Sequence, residues 1–353
     1  MQARRPVTQL QADGDVLSVF ERYHPAIIGE LRSVLAERTV PPFSLMRYHL
    51  GWEDEQGRPI EGRGGKLLRP ALCLLCCEAV GGDWQRALPA AAALELLHNF
   101  TLIHDDVEDA SPQRHGRSTL WKLRGEAQAI NAGDGMFALA HVTLLRLADR
   151  GQPAERVVQT VRMLDEAALR LCEGQHLDLT YAARDTITQA DYLEMIEGKT
   201  AALLAASCAI GALLAAGDAE AAGAFYEFGR RLGMAFQVRD DVLGVWGDVA
   251  ETGKPVGADL REGKKSYPVV VALERSTAEQ RADLRAALAG AASGGDVARA
   301  CALLEGLGAR EEGERAARSH AESAIASLDA VTLHADRRGE LEALARFAAA
   351  RRS

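Results

Sequence analysis

Aromatic residues make up only 5% of this 353-residue chain, and stretches that alternate apolar and polar side chains are few. That scarcity argues against a sheet-based fold and leaves helices as the main element. Positive charge is not in surplus. The formal net charge of −9 favours solubility and lacks the electrostatic footprint of a nucleic-acid binder. Residues 1–15 carry basic side chains but no apolar core stretch, so no signal peptide is read there. No Walker A sequence is present, nor a dinucleotide G-x-G-x-x-G after a strand, so nucleotide enzymes fit poorly. The six cysteines show no disulfide pattern. Cys73, Cys76 and Cys77 share one apolar helical run. Without a second ligand pair, their C-x-x-C reads as buried thiols rather than a zinc half-site. A reducing cytoplasm is the expected compartment. Long hydrophobic runs are missing too, with one borderline case: Thr200 to Gly217 is eighteen residues without a charge. That is the lower edge of a membrane-spanning length. Its Ala, Ser, Thr and Gly content keeps the hydropathy weak, so it is expected at the centre of a helical bundle, with no integral membrane segment.

What is present is acidic and helical. Leu94, Leu96, Leu97, Leu102 and Ile103 mark an apolar helix that ends in Asp105-Asp106-Val107-Glu108-Asp109. Asp105 and Asp109 are one turn apart on one face, where like charges repel. They also stand at the negative end of the helix dipole, so something positive is expected against them. A second apolar run, with Phe228, Leu232, Met234 and Phe236, ends in Gln237-Val238-Arg239-Asp240-Asp241. One such pair is ordinarily a solvated face. Two, each closing a buried helix, suit Mg²⁺, which takes one or two carboxylates plus phosphate oxygens.

Along the chain, residues 1–14 read as a loose tail and 15–353 as a single domain. Helices are expected over Asp15–Glu37, Ser44–Gly51, Pro89–Asp109, Glu126–Ala148, Glu155–Ala182, Gln189–Gly217 and Ala219–Val245. Four or five Ala-rich helices follow between Tyr267 and Arg351. The class is therefore all-α, a bundle of about 12–13 helices around a central apolar cavity. Gly64-Gly65-Lys66 with Arg69 just beyond can form an anion site at a helix start. His98 lies on the stripe of Asp105, two turns below. Arg114, His115 and Arg117 sit in the loop after the first acids, and arginine suits phosphate. Gly198 beside Lys199-Thr200 interrupts a helical pattern and is expected to bend it, exposing carbonyls. Two carboxylate clusters, flanking basic loops and apolar walls describe a metal-held diphosphate above a hydrocarbon pocket.

These motifs resemble the trans-isoprenyl diphosphate synthases of the polyprenyl synthetase family. The resemblance runs from about Gly64 to Val271. It rests on Gly64-Gly65-Lys66 with Arg69-Pro70, Asp105-Asp106-Val107-Glu108-Asp109, Asn131-Ala132-Gly133-Asp134, Gly174-Gln175 with Asp178, Lys199-Thr200, and Gln237 with Asp240-Asp241. It implies the isoprenoid synthase fold and head-to-tail condensation of isopentenyl diphosphate with dimethylallyl, geranyl or farnesyl diphosphate. It also implies a homodimer, and about three Mg²⁺ ions per site, with Mn²⁺ as a substitute. Lys66, Arg69 and His98 would bind isopentenyl diphosphate. Asp105, Asp109 and Asp240 would hold the metal, with Asp106 and Asp241 beside them. Arg114, Lys199, Lys254 and Lys264 would complete the anion cage. The Lys199 carbonyl, Thr200 hydroxyl and Gln237 amide would face the allylic cation.

Two departures stand out. His115 replaces a second arginine, which weakens that contact unless Arg117 substitutes for it, and Gly244 replaces the last aspartate of the second motif, with Asp248 nearby. A class I terpene cyclase shares the fold but not the isopentenyl site, and its second metal triad is absent here. A non-catalytic subunit could drop its aspartates, yet both clusters remain. A plain helical scaffold would not need the ordered charges. Product length is expected to depend on Leu97, Thr101 and Phe100. From Asp105 they lie about 80°, 40° and 140° around the helix. The resemblance nominates Phe100, an aromatic five residues before the motif, and with it geranylgeranyl diphosphate. Farnesyl and farnesylgeranyl diphosphate are the neighbouring alternatives.

Overall fold

The computed structural model describes residues 7–36, 38–61, 65, 67–216, 218–247 and 255–351. Lys66 and Lys254, with Gly64 and Asp248, lie outside the described residues. The described chain is helical throughout apart from one two-stranded hairpin and an isolated bridge between Glu53 and Pro59. Its first ten helices are α1 (Val7–Ala36), α2 (Pro41–His49), α3 (Leu68–Ala79), α4 (Leu88–Glu108), α5 (Leu120–Arg124), α6 (Glu126–Leu145), α7 (Ala154–Ala183), α8 (Gln189–Ile196), α9 (Ala202–Ala216) and α10 (Ala219–Trp246). The helices Ala258–Arg261, Tyr267–Arg275, Ala278–Ala292, Val297–Gly306, Ala309–Ser327 and Ala335–Ala350 follow. One-turn pieces such as α5 and the division of α8 from α9 raise the number above that expected. Residues 7–14, expected in the loose tail, are already helical, as their Gln, Leu and Ala favour. Pro41 and Pro42 open α2, where a missing N–H is harmless.

Contacts group the chain into two compact units. The first comprises Met1–Ala168, Ala206–Phe225 and Val331–Arg338; the second comprises Leu169–Ala205, Tyr226–Ala330 and Gly339–Ser353. In the first unit α4 is the central element. Ala90 to Leu94, Leu96 and Leu97 are all buried, so α3 and α6 pack close against it. Each large side chain buried there is worth about 2 kcal/mol at most. Cys73, Cys76 and Cys77 are buried free thiols on α3, as expected. In the second unit, Gly174 of α7 crosses the chain at Gly198-Lys199 so closely that a Cβ on Gly174 would stand 2.1 Å from the Lys199 nitrogen. The bend expected at Gly198 is a π-helical turn, Glu197–Ala201. Such turns concentrate at functional sites. One stretch, Gln189–Ala215, is long and apolar enough to cross a membrane, and 83% of its most hydrophobic window is buried in the protein.

Candidate active site

In the first unit the acids close α4. The helix has no basic residue in its last turn, and the Asp109 N–H caps it by donating to the Asp105 carbonyl at 2.8 Å. Asp106 points elsewhere. It is 2% exposed, and Arg114 grips both its oxygens, with Nε 3.0 and 3.1 Å away and Nη2 at 2.8 Å. Asp106 therefore holds Arg114 in place and is corrected from the metal set. Arg114 and Arg117 are paired across a hairpin, β1 (Gln113–Arg114) and β2 (Arg117–Ser118). Its two-residue tip, His115-Gly116, has φ of 51° and 73°, the type I′ geometry. Histidine adopts this left-handed conformation more readily than most side chains, which gives the departure at 115 a structural reason. Arg117 is engaged within the protein. Its guanidinium donates to the Tyr48 and Glu53 carbonyls at 2.8 and 2.6 Å and lies 4.1 Å from the Tyr48 ring centroid. It clamps the 50s loop.

Arg69 and His98 do come together. Arg69 Nη1 lies 3.1 Å from His98 Nε2. A guanidinium only donates, so His98 Nε2 accepts and the ring is neutral. Burial, reinforced by Arg69 and Arg114, pushes the His98 pKa well down. Burial also lowers Arg69 to about 10, against the pull of Glu95. Among the described residues its Nε is buried without a hydrogen-bond partner. A desolvated cation with an orphan donor fits an incoming anion. Leu67, one residue before α3, is left-handed with φ 49°, a strained entry to this basic corner.

In the second unit the π turn and α10 form one hydrogen-bonded chain. Lys199 Nζ meets Asp178 Oδ2 at 2.5 Å. The Thr200 hydroxyl donates to Gln237 Oε1 at 3.0 Å, and Gln237 Nε2 donates to Asp241 Oδ1 at 3.2 Å. Asp241 is fully buried. It also accepts from Lys264 Nζ and the Tyr267 N–H, both at 2.8 Å, and from the Tyr192 hydroxyl. Four donors match the lone pairs of one carboxylate, so Asp241 too is corrected from metal ligand to structural hub. Asp240 is the available acid, with its side chain 52% exposed. Arg351 donates to its Oδ1 at 2.7 Å while lying 3.9 Å from the Phe236 ring centroid. Desolvation works against the charge on Lys264, and Asp241 and Asp259 outweigh it, so its pKa is raised.

Gly244 has a physical account. A Cβ there would stand 2.3 Å from Asp259 Oδ2. The carboxylate missing from position 244 thus reaches the same spot from Asp259, which pairs with Lys264 at 3.4 Å. The sequence reading missed Asp259, Arg351, Tyr192 and Tyr267. Asp259 alone carried a signal, an acid five residues before Lys264. The chemistry of the acids left over suits a hard cation. Asp105, Asp109 and Asp240 offer only oxygen, the donor type that Mg²⁺ takes.

A profile of the polyprenyl synthetase family matches residues 55–304. The chain is 44% identical over 254 residues to a (2E,6E)-farnesyl diphosphate synthase of Mycobacterium tuberculosis, covering 72% of this chain and 69% of that one. It is 42% identical over 294 residues to a geranylgeranyl diphosphate synthase of the same species, covering 82% and 83%. The crystal structure of a polyprenyl synthetase from Streptomyces coelicolor superposes with a TM-score of 0.88 at 39% identity, covering 94% of this chain and 99% of that one. The chain therefore belongs to the polyprenyl synthetase family and has the all-α isoprenoid synthase fold. It is a prenyltransferase, of a family that uses isopentenyl and allylic diphosphates and binds diphosphate through a divalent metal.

Proposed function

We propose that this enzyme is a cytoplasmic, Mg²⁺-dependent synthase of geranylgeranyl diphosphate. What supports the chemistry is that Asp106 and Asp241 are buried and engaged by protein donors while Asp240 keeps half of its side chain exposed. Asp105, Asp109 and Asp240 would hold Mg²⁺ for the allylic diphosphate, and Lys199, Lys264 and Arg114 would add fixed positive charge. Bound Mg²⁺ neutralises the charge that builds on the departing diphosphate. The Thr200 hydroxyl spends its proton on Gln237, which turns its oxygen lone pairs outward to an allylic cation. Gln237 is held in register by Asp241, so this dipole needs no reorganisation as charge develops. Arg69 and neutral His98 bind the diphosphate of isopentenyl diphosphate, with the orphan Arg69 Nε aimed at an anion. The isopentenyl double bond attacks the cation, and the released pyrophosphate takes the proton.

The length reading rests on Phe100. Thr101, on the Asp105 side of the helix, is small and engaged with the His98 carbonyl at 2.7 Å, and Leu97 is fully buried in packing. Phe100 faces Phe137 of α6, with ring centroids 5.2 Å apart. This aromatic pair is the floor on which the growing chain stops. Purified protein given isopentenyl diphosphate, dimethylallyl diphosphate and Mg²⁺ is expected to release all-trans geranylgeranyl diphosphate, read by chromatography of the dephosphorylated alcohols. A farnesyl product that is not extended refutes the length reading.

A further inference from the structure

Phe100 and Phe137 are the middle of a longer stack. His104 packs on Phe100 with centroids 4.8 Å apart, and His141 packs on Phe137 at 4.6 Å. The order His104–Phe100–Phe137–His141 runs from α4 onto α6. Gly133 makes room for it, since a Cβ there would stand 2.3 Å from the His104 ring. Both ends are tied down. His104 Nε2 lies 3.3 Å from the Ile130 carbonyl and 3.6 Å from Asp134. His141 Nδ1 lies 2.9 Å from the Phe137 carbonyl, and its Nε2 bonds Asp165 of α7.

We propose that the His141–Asp165 pair is a positioning device that holds Phe137 behind Phe100 and so fixes product length, an inference that rests on Phe100 being the floor. The two partners of His141 are a carbonyl and a carboxylate, and both only accept. Each ring nitrogen must therefore carry a proton, so the fully pinned ring is the imidazolium. Loss of one proton frees one anchor. Without it Phe137 gains rotamer freedom, and Phe100 loses the surface that stops it from swinging aside. Neither His141 nor Asp165 is among the residues assigned to metal, diphosphate or cation, so turnover is not the property they set.

The charged group packed against His141 is Asp165 from α7. α6 presents its own Phe137 carbonyl, and α4 faces the stack with the uncharged Phe100 ring and, beyond it, His104 with Asp134 as its partner. Desolvation lowers the His141 pKa, but the Asp165 and Phe137 hydrogen bonds and the Asp165 charge outweigh it, and the net shift is upward. A raised pKa means that the pinned form is complete below the ordinary histidine value and is lost as pH rises through the folded one.

The test is product analysis of the full chain with isopentenyl and dimethylallyl diphosphates and Mg²⁺, for the parent, His141→Leu, Asp165→Asn, Asp165→Glu and Phe100→Ala, across a pH series. His141→Leu and Asp165→Asn are expected to raise the ratio of longer to twenty-carbon product about tenfold, the equivalent of one charged hydrogen bond. Their kcat and KM for isopentenyl diphosphate are expected to stay within about twofold of the parent. Asp165→Glu is expected to restore the parental ratio. In the parent the ratio rises with pH, and in Asp165→Asn it is high and flat. If Phe100→Ala lengthens the product while both pair variants keep the parental ratio, the buttress is refuted and the floor stands. If Phe100→Ala also leaves the ratio unchanged, the floor itself is refuted. Should His141→Leu fail to fold, the solvent-reaching Asp165→Asn decides alone.

Discussion

Neighbouring aspartates in this enzyme do unlike work. On a helix, adjacent residues diverge by about 100°, so when one carboxylate is available the next turns into packing. Asp240 and Asp241 show this on α10, and on α4 Asp106 is the member turned into packing. The difference is measurable. Asp106→Asn breaks a desolvated fork with Arg114 and is expected to cost about 2 kcal/mol of stability, seen as a lower denaturation midpoint. Its Mg²⁺ requirement should stay parental. A parental midpoint together with a raised Mg²⁺ requirement would return Asp106 to the metal set. The sequence showed where the acids lie and which share a face. It did not show which the fold buries, because the partners come from afar. Tyr192 and Tyr267 lie on either side of Asp241 in sequence by dozens of residues, and Arg351 meets Asp240 from the end of the chain. Arg117 shows the same limit: its charge pattern fits phosphate, while the carbonyls it meets belong to Tyr48 of α2 and to Glu53 just beyond, more than sixty residues earlier.

At the scale of elements, most helix positions were legible because apolar spacing and Pro or Gly punctuation agree. α4 and α10 begin and end within one residue of expectation, give or take the frayed turn. The start of α1 was not, because its polar first turns carry helix propensity without an apolar stripe. The π turn was legible only as a bend. Its cause is the backbone crossing at Gly174 and Gly198, which a linear pattern cannot display. Gly174→Ala puts a methyl group against the Lys199 nitrogen and must push the π turn away from α7. It is expected to destabilise the fold by about 2 kcal/mol and to lower kcat more than tenfold, since Lys199 and Thr200 move together. A variant that melts early yet keeps parental kcat would show that the turn's position does not matter to the chemistry.

For the molecule as a whole, an acidic, aromatic-poor helical chain carries two acidic helix ends, and the proposed function has both serve one metal-dependent ionisation. The most direct test is turnover against Mg²⁺ concentration at saturating isopentenyl and allylic diphosphates, for the parent, Asp105→Asn and Asp240→Asn, with helical circular dichroism recorded on each. The parent is expected to need a divalent cation. Both variants are expected to keep the parental spectrum and to lose at least about a hundredfold in kcat at any Mg²⁺ level, a barrier change of several kcal/mol. Near-parental turnover in either variant at saturating Mg²⁺ would contradict the assignment.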